Sequence, residues 1–292
     1  MRPSGGSAPG PASLASGKLI LDEPRPGVTR LRIANPARRG ALDHEILDTL
    51  AETVGDLEAR CLVLTGTEGM FSAGYDLGNL DADPDARRPA PTGVGSGDPG
   101  QGFEEQAERL VAHPFHAALE ALERYPFPVI GALNGHAIGG GLELALTCDF
   151  RVAARGIKIG MPPAKLGLVY SHTGLRKFLE LCGPAHTAEL FHVGRSVDAE
   201  RGKEMGLISY VVEPDELDER VLAMASEIVG NAPLALAGNK RVMRTLRAYE
   251  GQLPEDVERE MVELRESCFR TDDFREGVRA FTDKRQPEWK GT

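Results

Sequence analysis

The 292-residue chain has only four cysteines, Cys61, Cys148, Cys182 and Cys268, and none lies in a CxxC pair or at metal-ligand spacing. That pattern argues against a disulfide framework or a zinc site. It reads instead as reduced, mostly buried thiols of a cytoplasmic protein. Excess positive charge is also lacking. Lys and Arg total 34 against 44 Asp and Glu, a formal net charge of −10, so a general nucleic-acid binder is not expected. No apolar run approaches the ~20 residues of a membrane-spanning helix. Several catalytic signatures are missing: there is no GxSxG elbow, no GxxxxGK[ST] phosphate loop and no GxGxxG dinucleotide turn. His44-Glu45 begins an HExxH-like pattern, but Asp48 stands where the second histidine would be, so no zinc site follows. Residues 1–16 are rich in Gly, Pro, Ser and Ala without a signal-peptide core and read as a disordered leader.

What is present alternates strand and helix. Lys18–Asp22 and Val28–Ala34 read as a hairpin around the turn Glu23 to Gly27. Asp43 is placed to cap a helix to about Glu58, with Leu42, Ile46, Leu47, Leu50 and Val54 at helical spacing. Cys61–Thr65 and Pro128–Leu133 are continuous apolar runs of the kind buried on both faces of a parallel sheet. Residues 81–102, rich in Pro, Gly, Asp and Ala, read as a mobile loop, and Phe103 to about Arg124 as a helix. From Thr173 onward the pattern is mostly helical. The predicted helices are Leu175–Leu181, Ala185–His192, Ala199–Met205, Glu216–Gly230, Pro233–Tyr249, Pro254–Ser267 and Thr271–Lys284. The expected division is a leader over 1–16, an α/β core over 17–212 and a helical region over 213–292.

Two glycine turns follow buried strands: Phe71-Ser72-Ala73-Gly74-Tyr75-Asp76-Leu77, and Asn134-Gly135-His136-Ala137-Ile138-Gly139-Gly140-Gly141-Leu142-Glu143. Glycines leave backbone N–H groups approachable, and at a helix start those groups favour negative charge. Glu143, one turn in, can face the same spot. The plain alternative is a tight turn followed by a solvated glutamate.

These turns, with Asn35-Pro36…Ala41-Leu42, Cys148-Asp149 and the tail from Asp273 to Pro287, resemble the crotonase superfamily, the enoyl-CoA hydratase/isomerase family. The resemblance runs from about Lys18 to Gly291. It implies a crotonase-like (ClpP/crotonase) α/β spiral of ββα units with a C-terminal helical trimerisation region, assembled as a homotrimer or a dimer of trimers. It implies an acyl-CoA thioester as substrate, with coenzyme A part of that substrate and no separate cofactor or metal. The N–H groups of Tyr75 and Gly140 would form an oxyanion hole for the thioester oxygen. Ala73, Asp76, Leu77 and Gly139 in the two turns, with Pro163 and Leu168, would line the substrate and coenzyme site. Ala41 would lie against the coenzyme, with Arg38 or Arg39 near its phosphates unless they are an ordinary solvated pair. Phe281 and Lys284 would approach it from the last helix.

Glu143 matches the first glutamate of the family hydratases. The second is expected after a proline in Ile159–Gly167, where this sequence has Pro163. Proline cannot ionise, so the paired-carboxylate mechanism lacks a member. The segment Gly160 to Ser171 resembles the methylmalonyl-CoA decarboxylase branch. That branch also lacks the second glutamate and carries a tyrosine, matched by Tyr170 after Leu168, that contacts the substrate carboxylate. It carries a histidine at the position of Tyr75. Hydration is the nearest named activity, decarboxylation the alternative, and a non-catalytic acyl-CoA-binding scaffold the alternative of another class. Asp76 is read as structural, His136 as packed behind its turn, His172 as solvent-facing, and Asn239–Arg247 as a solvated basic helix face.

Overall fold

A computed structural model describes residues 10–67, 69–76, 103–250, 252 and 254–290; the side chains of 103–113, 261, 264, 265 and 268 lie outside the description. In chain order the first strands are β1 (Ala12–Leu14), β2 (Leu19–Arg25) and β3 (Val28–Ile33), followed by helix α1 (His44–Asp56). Three similar turns follow. The first is β4 (Cys61–Thr65), β5 (Met70–Ser72) and α2 (Phe103–Arg124). The second is β6 (Val129–Leu133), β7 (His136–Ile138) and α3 (Gly140–Thr147). The third is β8 (Phe150–Ala154), β9 (Lys158–Gly160) and α4 (His172–Ala188). Then come β10 (Val197–Asp198), α5 (Ala199–Glu204) and β11 (Tyr210–Val212). Helices α6 (Leu217–Gly230), α7 (Pro233–Glu250), α8 (Glu255–Phe269) and α9 (Asp272–Asp283) complete the chain.

The strands make two sheets, ordered β1-β2-β3-β4-β6-β8-β11 and β10-β9-β7-β5. In each of the three turns the first strand joins the large sheet, and the second turns a corner into the small one. The partners β4, β6, β8 and β11 are parallel, as are β5, β7 and β9. This is the spiral of ββα units that the resemblance implies. Every residue of β4 and β6 is buried; α6 packs on both strands, α3 and β5 pack on β6, and α1 and α2 pack on one another. All eight residues of α3 are buried as well, as befits a helix with little polar surface. The corners nest closely. A methyl group on Gly135 would lie 1.9 Å from the carbonyl of Gly69, so the second corner follows the first only with glycine there.

Several expectations change. Within the stretch read as a leader, Ala12–Leu14 pair antiparallel with Leu19–Leu21; residues 1–9 lie outside the described residues. The hairpin turn is Pro26-Gly27 rather than Glu23 to Gly27, since β2 continues to Arg25 through a register shift that accommodates Pro24. Asp43 does cap α1, accepting from Ile46 N–H at 2.9 Å. The two short helices expected, Leu175–Leu181 and Ala185–His192, do form: α4 breaks at Gly183 (φ 70°, ψ 174°), and its second part runs on into a π-turn over Glu189–Val193. Lys240 is not on a solvated face: it is buried and donates to Phe127 O at 2.9 Å and Asp149 Oδ2 at 2.7 Å. Among the described residues no single helix is long and apolar enough to cross a membrane. The loop expected over 81–102 lies outside the described residues.

Candidate active site

The first glycine turn is laced to the loop before α1. Ala73 N–H donates to Arg39 O at 3.1 Å, Leu42 N–H to Gly74 O at 2.8 Å and Asp76 N–H to Leu42 O at 3.2 Å. The parallel bridge between Leu42 and Tyr75 thus uses the residues on either side of Tyr75. The second turn adjoins the first at Gly74. A methyl on Gly74 (φ 89°) would lie 2.7 Å from Ile138 O and 3.0 Å from Gly140 N. The Tyr75 ring covers Gly140, 3.2 Å from where its Cβ would be, and stacks edge-to-face on Phe115 at 4.7 Å between centroids.

Gly139 opens the second turn at φ 56°, ψ −126°, a region open essentially to glycine. Its N–H donates to Gly160 O at 2.9 Å, and its carbonyl accepts from Leu142 and Glu143. Gly140 N–H begins α3 and has no acceptor among the described residues, as expected for the first amide of a helix. The second turn therefore presents a positively polarised backbone edge beside Tyr75.

One turn further, Glu143 is 3% exposed, and its Oε2 accepts the hydroxyl of Tyr170, itself 7% exposed. A buried carboxylate needs such a donor. The Tyr170 ring packs edge-to-face on Phe191 at 5.4 Å, and Phe191 on Phe178 at 4.9 Å. Tyr170, matched from sequence to a tyrosine that contacts a substrate carboxylate, here donates its hydroxyl to the carboxylate of Glu143. The other oxygen of Glu143 faces the start of α4, where Ser171 caps the helix by accepting from Gly174 N–H at 3.1 Å. The site thus has a backbone side at the two glycine turns and a side-chain side at Glu143 and Tyr170.

The sequence model described as enoyl-CoA hydratase/isomerase matches residues 97–292. Carnitinyl-CoA dehydratase of Salmonella enteritidis is 34% identical over 243 residues, covering 81% of this chain and 83% of that protein. The chain belongs to the enoyl-CoA hydratase/isomerase family. Methylmalonyl-CoA decarboxylase of Escherichia coli is 28% identical over 256 residues, 86% of this chain and 90% of that one. A solved structure of methylmalonyl-CoA decarboxylase complexed with 2S-carboxypropyl CoA aligns with a TM-score of 0.79 at 25% identity, over 94% of this chain and 98% of that chain.

The remaining family-implied positions are distributed as follows. Ala41 is buried and Ala73 half-buried in the laced turn. Arg38 and Arg39 are exposed; the Arg38 guanidinium is 3.6 Å from the buried carboxylate of Asp76, and Arg39 reaches Met70 Sδ at 4.0 Å. Asp76 therefore has a cationic neighbour rather than only its own turn. Leu77 lies outside the described residues. Pro163 is buried and opens a 3-10 turn over Pro163–Leu166; Leu168 follows, half-buried. Phe281 is 66% exposed and Lys284 is exposed with φ 55° at the end of α9. That helix packs on the 3-10 turn of its own chain: a methyl on Gly277 would lie 2.5 Å from Leu166 O. His136 accepts from Lys158 N–H at 2.9 Å. His172 is not solvent-facing but 22% exposed, with Nε2 3.5 Å from Glu258 Oε1.

Burial also affects the thiols behind the site. It pushes Cys148 up to about 12, with the Asp149 carboxylate adding to the shift and Arg151 opposing it. Burial likewise pushes Cys61 up to about 12. These thiols stay protonated and act as packing groups.

Proposed function

We propose that this chain is an acyl-CoA lyase that hydrates an enoyl-CoA, or runs the reverse dehydration, through a thioester enolate. The observation that carries the reading is the buried Glu143 carboxylate, held by Tyr170, one helical turn below the Gly140 amide. Chemistry at the α or β carbon of a thioester places negative charge on its carbonyl oxygen. Tyr75 N–H and Gly140 N–H, in adjoining turns, would receive that oxygen, and such a donor is worth about 2.7–4 kcal/mol. Glu143 would act as the acid–base group for water and the α carbon, with Tyr170 fixing its orientation. Pro163 leaves this turn without a second carboxylate, so one acid–base group serves both steps. The 34% identity to a carnitinyl-CoA dehydratase supports water addition or elimination as the reaction type. Arg38 and Arg39 would lie toward the coenzyme phosphates, with Ala41 against the coenzyme. Coenzyme A enters as part of the substrate, and no separate cofactor is required.

Decarboxylation is the second reading, favoured by Pro163 together with the buried Tyr170. Loss of CO₂ forms the enolate without a base, so only the oxyanion hole and an orienting donor are needed. The Tyr170 hydroxyl has one proton to donate, and Glu143 takes it in this structure. A substrate carboxylate would have to displace that bond beside another negative charge, which places hydration first.

The assembly proposed is a homotrimer or a dimer of trimers. Leu234, Val242, Met243, Leu246 and Tyr249 leave α7 between 57 and 88% exposed at apolar positions, a face suited to burial against a second copy.

Incubation with crotonyl-CoA and, separately, methylmalonyl-CoA, with products followed by mass, tests the reading. Hydration of crotonyl-CoA abolished by Glu143→Gln supports it. CO₂ release sensitive to Tyr170→Phe replaces it with decarboxylation, and binding of an acyl-CoA panel without turnover replaces it with a scaffold.

A further inference from the structure

We propose that Gly174 is a positioning residue for the Glu143–Tyr170 pair: the space its side chain would fill is where the pair is seated. Gly174 lies in the first turn of α4, is buried, and is absent from the residues with positive φ. Its backbone is one that alanine adopts readily, and alanine is the better helix former. Conformation therefore does not call for glycine, in contrast to Gly139.

Space does. A methyl at Gly174 would lie 2.6 Å from Tyr170 Cε1, 2.8 Å from Ser171 Oγ and 2.9 Å from Glu143 Oε1. The phenol ring cannot retreat, because Phe191 and Phe178 back it. Moving Ser171 would uncap α4. The carboxylate is the remaining group that can yield, and yielding takes it away from the Tyr170 hydroxyl. The close approach has a second effect. It brings Glu143 Oε1 against the first turn of α4 while Glu143 itself belongs to the first turn of α3, so two helix N-termini bear on one carboxylate and favour negative charge there.

This inference rests on the proposed role of Glu143 and is tested with a double-mutant cycle. Gly174→Ala is expected to lower kcat for crotonyl-CoA by about 10²-fold, within the range of a misplaced acid–base group, with KM changed less than about threefold. The arm of its pH–rate profile that reports Glu143 should move. In a Tyr170→Ala background, where the ring is gone, adding Gly174→Ala should change kcat less than about threefold. That double variant also has room to fold if Gly174→Ala alone does not. Additive losses in kcat and Tm across the cycle, or a Gly174→Ala enzyme with wild-type kcat and pH profile, would overturn the inference. A crystal structure of Gly174→Ala gives the arm that does not depend on activity. Displacement of Glu143 from Tyr170 supports the inference, and an intact pair sinks it. An inactive wild type would remove the functional reading alone, because the structural arm still decides the placement.

Discussion

The two sides of the site are built on different principles. At Tyr75 and Gly140 the groups proposed to work are backbone amides, in turns held by carbonyl partners and by glycines pressed against one another. At Glu143 and Tyr170 they are side chains from different turns of the spiral, 27 positions apart, meeting through one hydrogen bond. The first side tolerates little change, because what a new side chain would strike is main chain. The second has neighbours that can exchange: a phenol, a carboxylate, a proline. On the proposed reading a backbone site keeps one chemical capacity, the stabilisation of negative charge, while a side-chain site decides what is done with it.

The sharpest way to break this contrast is at Gly141, where a methyl would lie 2.4 Å from Ser72 O. Gly141→Ala is expected to cost about 3 kcal/mol or more of stability by overpacking, read by denaturant titration. A fully stable variant would show that the backbone side is not rigid. On the other side, Glu143→Gln should leave the fold intact and lower hydration by about 10²–10⁴-fold, measured as kcat on crotonyl-CoA at unchanged Tm. Tyr170→Phe should act more gently. It removes one donor from a buried carboxylate, costs about 1–3 kcal/mol of stability and lowers kcat by about tenfold, since it disturbs orientation rather than the reacting group.

The thiols give a pH test of the scaffold behind both sides. Cys61 and Cys148 have ordinary values of 9.0 and are held at about 12 in the folded state. A folded value above the unfolded one means stability is intact below pH 9 and declines as pH rises from 9 toward 12. Urea midpoints measured across that interval should fall, and substitution of both thiols by alanine should flatten the decline. The smallest effect concerns the C-terminal tail. Arg285 pairs with Glu276 through both guanidinium nitrogens at 2.5 and 2.8 Å, Glu288 N–H adds 2.9 Å, and Lys290 N–H reaches Asp273 at 2.7 Å. The Arg285 guanidinium, then the Glu288 amide, hold Glu276 down at about 2. Its lowered value keeps the contact above pH 4.5 and loses it as pH falls through about 2. Fluorescence of Trp289, the sole tryptophan, should report release with a midpoint near 2, and one near 4.5 would show the latch is not formed.

Much of the architecture was legible because it is written in local patterns. The apolar runs of β4 and β6, the Asp43 cap and the helical spacing of α1 and α2 each depend on neighbours within a few residues. The two glycine turns were legible for the same reason. What sequence could not show is contact across the spiral. Tyr170 reaching Glu143, Lys240 reaching Asp149 and Gly174 giving way to both site side chains depend on which turn stacks on which. The strands β1 and β7 also escaped, because pairing to neighbouring strands holds them rather than their own propensity. A local signal for Gly174 did exist: a glycine three residues after a serine cap, inside a helix where alanine would serve better.

The three stacked corners divide labour along the chain. The first two corners carry the amides assigned to the proposed oxyanion hole, and the third leads into Pro163, Tyr170 and Gly174. On that reading residues 161–174 form a cassette whose replacement would change the reaction while the two glycine turns stay in place. Grafting that single stretch from a hydratase or a decarboxylase of the family would then be expected to convert one scaffold into a set of enzymes, each inheriting the same proposed grip on the thioester.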